Sequence, residues 1–479
     1  MIKEKEVKKP SLGIALLPMV IVLVSLFFSL LIFDIDIHIP LIIGTVVAAM
    51  LAVFVLHFSW KEIEKGIFSS IASAMQAILI TGIIGFIIGS WILGGIVPTV
   101  IYYGLQILSP RFFLVTCLII CSVVSVATGS SWTTVGTIGI ALVGIGLGMG
   151  IQGPVTAGAV ISGAYFGDKM SPFSDTTNLA PSIVGTTLFT HIRHMLFTTG
   201  VSYILAVIGF TIINFRYSAQ NVDQHLVGEI MNALKGTFTI NPFLMIPPLF
   251  IIGMLVFKIP AIPGLMLSVF LGILCSVIFQ GATVAQIGNV LQYGFESHTG
   301  NAIIDDLLTR GGLQPMMWTL SLILCSLSFG GAMEKSGMLE TIAMHILKLA
   351  KSTGSLIAAT VITSIFMNIA SGEQYLSILI TGRMFKGEYK KRDLAPENLS
   401  RALEDGGTLT SPLIPWSTCA VAMSTYLGIS TLAYLPYCLL NLINPLVSIF
   451  YGYMGITITK RKKEVEEVEK VEKMREVSS

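Results

Sequence analysis

Five acids, Asp168, Asp175, Glu373, Glu404 and Asp405, interrupt stretches that are otherwise apolar and dotted with Ser, Thr, Gly and Pro. An acid at bilayer depth costs about 2.5 to 3.5 kcal/mol on insertion scales, so one that is kept there usually has a task. Carboxylate, hydroxyl and carbonyl oxygens are hard ligands that suit a small cation such as Na⁺. A proton competes for the same carboxylate oxygens. Thr128, Ser130, Ser131, Ser174 and Thr176 stand near Asp168 and Asp175 as neutral donors, and Ser371, Thr410 and Ser411 stand near Glu373, Glu404 and Asp405. Structural readings compete with this one. Asp175 fits the first turn of a helix, where the dipole welcomes a negative charge. Asp168 has Lys169 beside it, and Arg401 precedes Glu404 and Asp405 by the three and four positions at which helix side chains meet.

The elements that must hold these acids are membrane helices. Of 479 residues 53% are hydrophobic and 12% charged, against roughly 25% charged in a soluble domain. Soluble enzyme, secreted domain and nucleic-acid binder are thereby excluded. A crossing needs about 20 apolar residues, which places plain spans near 13–33, 38–57, 70–93, 194–213, 242–257, 260–280, 315–333 and 431–454. Residues 112–192 and 354–430 are apolar but broken by VATGSSWTT, FGDKMSPFSDTTN, IASGEQ and EDGGTLTSPLIPWST. Non-helical backbone survives at membrane depth only where protein or a watery cavity satisfies it.

These two regions follow one plan. Thr128-Gly129 matches Ser371-Gly372 at an offset of 243, Ser171-Pro172 matches Ser411-Pro412 at 240, and Gly95 matches Gly337 at 242. Ser as N-cap and Pro as first helical residue make each Ser-Pro pair the expected restart of a broken helix, with Asp168 in the unwound stretch before it. The expected fold is all-α and polytopic: two inverted repeats of about five crossings each, with tangential arms at 96–110 and 334–351, re-entrant hairpins tipped at 128–132 and 371–374, and broken helices. The segments are 1–12, cytoplasmic; 13–213, first repeat; 214–241, extracytoplasmic linker; 242–455, second repeat; and 456–479, a charged cytoplasmic tail that is solvated helix or disordered. Charge sidedness agrees. Lys61, Lys65, Arg193, Lys258, Lys335, Lys348, Lys351, Arg383, Lys386, Lys390, Lys391 and Arg392 fall inside, against Arg111, Arg216, Lys235 and Arg310 outside.

Other residues read more plainly. Cys117, Cys121, Cys275, Cys325, Cys419 and Cys438 show no paired framework and no metal spacing, so they are small core residues. His191 and His194 flank Arg193 as an interfacial cluster, and Gly144, Gly146, Gly148 and Gly150 suggest close helix packing. Trp132 and Trp416 flank the two breaks.

The run GAYFGDKMSPFSDTTNLAP at 163–181, with ATGSSWTT before it and EDGG…TSPLIPW in the second half, resembles the NhaC family of Na⁺/H⁺ antiporters over essentially the whole chain. The resemblance implies a bacterial-type plasma-membrane carrier with inverted repeats, and it implies that Thr128 to Trp132 and Asp168 to Asn178 line the site, which adds Asn178 to the set. A Ser-Asn-Thr hairpin motif typical of dicarboxylate carriers is absent. The expected activity is exchange of Na⁺ for H⁺ by alternating access, with Na⁺ and H⁺ as transported ions and no cofactor. The alternative is Na⁺-coupled carriage or exchange of a small organic acid (malate or lactate) or an amino acid, with Arg401, Thr410 and Ser411 holding the carboxylate. A homodimer is expected by analogy alone. Channel and membrane-enzyme readings fit less well, since broken helices around acids suit an occluded site and no H-E-x-x-H run is present.

Overall fold

The computed structural model describes residues 8–33, 35–218, 224–256 and 260–461. The first seven residues, positions 219–223 of the expected linker, Lys258 and the tail from 462 onward lie outside them.

The chain is a bundle of helices, with no strand among the described residues beyond two isolated bridges. The first group is α1 (Leu12–Phe28), α2 (His38–Met50), α3 (Trp60–Ser73), α4 (Met75–Leu93) and α5 (Ile96–Ile107). There follow α6 (Phe113–Thr128), α7 (Ser131–Thr134), α8 (Ile140–Gly148), α9 (Gly153–Met170), α10 (Asp175–Val184) and α11 (Leu188–Ser218). The middle of the chain holds α12 (Gln224–Thr237), α13 (Ile246–Val256), α14 (Ala261–Gln280), α15 (Val284–Tyr293) and α16 (Ala302–Leu308). The last group is α17 (Leu313–Lys335), α18 (Met338–Lys348), α19 (Thr353–Ser371), α20 (Gln374–Lys391), α21 (Pro396–Leu403), α22 (Thr418–Leu427), α23 (Thr431–Tyr434) and α24 (Leu439–Met454).

Among the described residues eight helical stretches are long and apolar enough to cross a membrane, or nine if the bent pair α22 and Thr431–Tyr437, which meet at 88°, counts as one. Three of the eight, Pro110–Thr128, Ser131–Gly148 and Thr353–Ser371, fall in the regions whose composition looked broken. Their small polar residues face inward: 89% of the Ser131–Gly148 window is buried. Hydroxyls there return to their own helix, as Thr137 does to the Thr133 carbonyl at 2.7 Å, so that their buried O–H groups are satisfied. The expected span 70–93 is divided at Ala74, where α3 ends and α4 begins. α3 is a separate amphipathic helix, begun by a capping box in which Ser59 and Glu62 satisfy each other's amides. The span 194–213 runs further at both ends, as α11, and the polar stretch after it contains α12, which buries Ile230 and Leu234.

Elements recur at a fixed spacing. Left-handed glycines close or open helices at Gly95 and Gly337 (φ 73° and 74°), at Gly129 and Gly372 (67° and 65°) and at Gly185 and Gly428 (85° and 65°). The last two pairs are 243 apart, and so are Ser174 and Ser417, the N-caps of α10 and α22. The helix restarts therefore lie at Ser174 and Ser417, not at the Ser-Pro pairs. Ser171 ends α9 instead, with its hydroxyl given to the Val126 carbonyl at 2.7 Å, and Ser411 opens a single 3₁₀ turn. Asp168 correspondingly sits in the wound last turn of α9, not in an unwound stretch.

The core is continuous from α4 through α9 to α22, with satellite clusters under α1–α3 with α17 and under α19–α21. α9 lies against α6 with glycines at the contact: a Cβ on Gly163 would come 2.8 Å from the Cys121 Cβ, and one on Gly167 2.7 Å from the Ser122 carbonyl oxygen. Gly144 likewise admits Ile101 and Leu307, at 2.7 and 2.6 Å from where its Cβ would be, and Gly146 and Gly148 are also closely packed, whereas Gly150 meets nothing within 4 Å and serves a left-handed turn instead.

Candidate functional site

The first break is built from short-range hydrogen bonds that leave a carboxylate facing a gap. Gly129, in the left-handed conformation that suits glycine, ends α6 by donating to the Ser125 carbonyl at 2.8 Å. Ser130 then caps α7, accepting from the Thr133 amide at 3.2 Å, while the Thr128 hydroxyl accepts from the Ser130 amide at 3.1 Å. The next hydroxyl, Ser131, donates to Asp168 Oδ2 at 2.6 Å, and Ser174 donates to Asp168 Oδ1, also at 2.6 Å. Asp168 thus ties the tip of one hairpin to the restart of the next helix. Thr176 shares the Ser174 hydroxyl at 3.2 Å, and Asn178 turns away to the Pro172 and Ser174 carbonyls. Thr177, absent from the sequence set, holds the end of α9 by donating to the carbonyls of Asp168 and Lys169 at 3.0 and 2.9 Å.

The second break repeats the geometry with different chemistry. Gly372 ends α19 by donating to the Asn368 carbonyl at 2.9 Å, and the Glu373 amide donates to Ser371 Oγ at 3.3 Å, as Ser130 does to Thr128. Glu373 stands where Ser130 stands and caps α20, accepting from the Tyr375 amide at 3.2 Å with Oε1 and from the Thr418 hydroxyl at 2.8 Å with Oε2. Ser411 donates to Gln374 Oε1 at 3.2 Å, and Thr410 is held between the Gly406 carbonyl and Asn368.

The two breaks meet at a cavity of about 460 Å³. Of the residues singled out in the sequence, Thr128, Ser130, Asp168, Ser174, Asp175, Thr176 and Glu373 line it. Ser131 supports Asp168 from beside the wall, whereas Asn178, Ser371, Thr410, Ser411, Glu404 and Asp405 are not on it. The wall also contains residues that sequence reasoning missed. Thr418 had a signal, being 243 residues after Asp175 and, like it, the first residue of a half-helix. Ser73 and Gln76, from the α3–α4 junction, and Tyr375 had none.

Glu404 and Asp405 belong to a second buried polar cluster. They open a π-helical turn, Glu404–Thr408, directly after α21. Lys169 is fully buried and forms an ion pair with Asp405 Oδ1, which also accepts from Asn444 Nδ2 at 2.6 Å and from the Thr198 hydroxyl at 3.2 Å. Two pairings suggested by sequence spacing do not form. Lys169 points away from Asp168, because neighbouring helical residues project about 100° apart, and the Arg401 guanidinium turns to the Thr457 hydroxyl at 2.8 Å. His191 and His194 are buried against protein, with ring nitrogens 2.7 Å from Ser400 Oγ and 3.1 Å from the Thr457 carbonyl. No group of three or more His, Cys, Asp or Glu among the described residues is placed to hold a metal ion.

A sequence model described as the Na⁺/H⁺ antiporter family matches residues 7–177 and 163–456. The chain belongs to the Na⁺/H⁺ antiporter family. Relatives agree along the length of this family member. It is 40% identical over 456 residues to the Na⁺/H⁺ antiporter NhaC of Alkalihalophilus pseudofirmus, covering 95% of this chain and 98% of that one. Identity is 38% over 437 residues to the Bacillus subtilis Na⁺/H⁺ antiporter NhaC, covering 91% and 96%. It is 38% over 451 residues to the malate-2H⁺/Na⁺-lactate antiporter of Bacillus subtilis, covering 94% and 96%. The resemblance read from residues 163–181 therefore holds for the chain as a whole, and the protein is a multi-pass membrane protein whose relatives are transporters.

Proposed function

We propose that this protein exchanges Na⁺ for H⁺ by alternating access, with both ions competing for Asp168. The supporting observation is Asp168 itself, 6% exposed, held by two serine hydroxyls at 2.6 Å on the wall of the cavity where both chain breaks meet. A hydroxyl that donates to a carboxylate keeps lone pairs for a cation. Ser131 and Ser174, with Thr128, Ser130 and Thr176, are therefore ligands for Na⁺ when the carboxylate is ionised. A proton on Asp168 removes the charge that holds Na⁺, so one ion leaves as the other arrives. The bare carboxylate is the state that resists reorientation, since an uncompensated charge inside the bilayer is costly. Asp175 and Glu373 share the wall and set its negative potential.

The paired glycines and caps, 243 residues apart, support a reading as two inverted repeats of five crossings in the bacterial inner membrane, with both termini cytoplasmic and 214–241 outside. In that arrangement the hairpin tips rock against each other to expose Asp168 to one side at a time. In everted vesicles, Asp168→Asn should abolish Na⁺-induced collapse of an imposed pH gradient. A variant that keeps the full response would remove Asp168 from the mechanism.

A second reading rests on cavity size. A volume of about 460 Å³ lies in the range of small-molecule pockets, roughly 300 to 1,000 Å³, and one relative is a malate-2H⁺/Na⁺-lactate antiporter. Arg401, Thr410 and Ser411 do not line the cavity, so the handle for an organic carboxylate expected from the sequence is not available there. Uptake of labelled malate, lactate and amino acids, each with and without Na⁺, separates the two readings.

A further inference from the structure

The second buried polar cluster holds a carboxyl that the proposed exchange at Asp168 does not use. Glu404 is fully buried, and neither of its oxygens has a hydrogen-bond partner among the described residues; the Thr408 hydroxyl, one turn on, faces it without completing a bond. Two interrupted helices meet there. Glu404–Thr408 is a π-helical turn, a form that concentrates at functional sites, and Pro445 inside α24 cannot donate to the Asn441 carbonyl. Asp405 Oδ2, Asn441 Oδ1 and Asn444 Oδ1 are also buried without a donor among the described residues.

The charges that act on Glu404 are Lys169 and Asp168 on α9 and the adjacent Asp405. Of the other elements around the turn, α21 brings Arg401, α11 His191 and His194, α20 Tyr389, α24 Tyr451 and α10 Asp175, while α19 has no ionisable side chain. Lys169 is already paired with Asp405, and the Arg401 guanidinium turns to Thr457. An ionised Glu404 is therefore an uncompensated buried charge. Na⁺ bound there would sit beside the Lys169 ammonium and be repelled by it, whereas a proton needs a single oxygen.

We infer that Glu404 is a second proton-carrying group, loaded and unloaded in the same cycle as Asp168. The inference rests on the reading of Asp168 as the site of Na⁺/H⁺ exchange. Lys169 links the two, because it follows Asp168 in the chain and faces both Glu404 and Asp405. Na⁺ at Asp168 shifts that turn of α9, the ammonium moves toward Glu404, and the carboxylate it meets there is compensated. Release breaks the Glu404 O–H bond, leaves the electron pair on the carboxylate and gives the proton to water; reloading reverses the step.

Purified full-length protein in detergent, in weakly buffered solution with a pH indicator, should release protons when Na⁺ is added, and Glu404→Gln should release one fewer per chain. Labelled Na⁺ binding supplies the second readout. In the acid range where both groups are loaded, the half-saturating Na⁺ concentration should change about 10-fold less per pH unit in Glu404→Gln than in wild type, since each coupled proton contributes one power of ten. A Glu404→Gln variant that binds Na⁺ and releases as many protons as wild type overturns the inference while the Na⁺/H⁺ reading stands. A folded variant that no longer binds Na⁺ also overturns it, because the carboxyl then serves Na⁺ binding rather than a separate proton. Where Glu404→Gln does not fold, Glu404→Asp keeps a buried acid: one protonated-carboxyl band in the infrared difference between Na⁺-free and Na⁺-bound forms should shift relative to wild type, and an unmoved spectrum overturns the inference. Wild type that binds Na⁺ without releasing protons ends both readings.

Discussion

At the scale of single residues, the adjacent pair Asp168 and Lys169 carries the main contrast. One side chain faces the cavity, and the other is spent on a fully buried ion pair with Asp405. Removing one partner of such a pair leaves an uncompensated charge and typically costs about 3 to 5 kcal/mol, whereas replacing both by apolar groups is often neutral. Lys169→Met should therefore lower the thermal stability of the detergent-solubilised protein sharply, and Lys169→Met with Asp405→Leu should recover most of the loss. A single variant as stable as wild type would show that the pair has no structural weight. Asp168 was legible from sequence because an acid among small polar residues in an apolar run has few structural uses. The partner of Lys169 was not, because it lies 236 residues away and nothing local marks it.

At the scale of elements, the positive-φ glycines were legible and the helix restarts were not. Gly129 and Gly372 adopt a conformation that other residues reach only under strain, so their spacing survives as a readable signature. Ser171-Pro172 carries the usual start signal, but its serine is used to bond α6, and the restart passes to Ser174. Close packing of α9 on α6 predicts that Gly167→Leu will disrupt the bundle, since even a Cβ would reach the Ser122 carbonyl. Loss of folded material in size-exclusion chromatography is the expected result, and a normal elution profile would refute it. A second element sits at 297–305, outside the candidate spans. Slight desolvation acts to raise the pKa of Asp305, but hydrogen bonds from the Thr299 amide at 2.6 Å, the Ser297 hydroxyl at 2.8 Å, the Thr299 hydroxyl and the Gly300 amide outweigh it and hold the carboxyl below its ordinary 3.8. A depressed folded value means that the contribution to loop order is complete above that ordinary value and fades as pH falls through the lower one. Protection of the Thr299 amide from hydrogen exchange, compared with Asp305→Asn, should be clear at about pH 5 and vanish in strong acid. Equal protection in both proteins at pH 5 would refute it.

At the scale of the whole molecule, the composition gave away the membrane and the charge distribution suggests its orientation. A cysteine placed at Arg111 should react with an impermeant maleimide from outside intact cells, and one at Lys391 only after the membrane is opened, in a background without the six native cysteines. Both residues labelling from the same side would reject the proposed topology. The full wall of the cavity was beyond sequence reach, because it is assembled from α3, α4, α6, α7, α9, α10, α20 and α22, and only folding brings those together.

One turn of α9 serves two masters. Asp168 and Lys169 share a peptide bond and point into different neighbourhoods, so that turn behaves as a seesaw. Any twist that swings the acid toward water must drag the ammonium across its own socket, where Asn444 and Thr198 also grip Asp405. On the proposed exchange mechanism, a cation that rotates this turn at Asp168 also loads the Lys169–Asp405 pair on the other side of the helix.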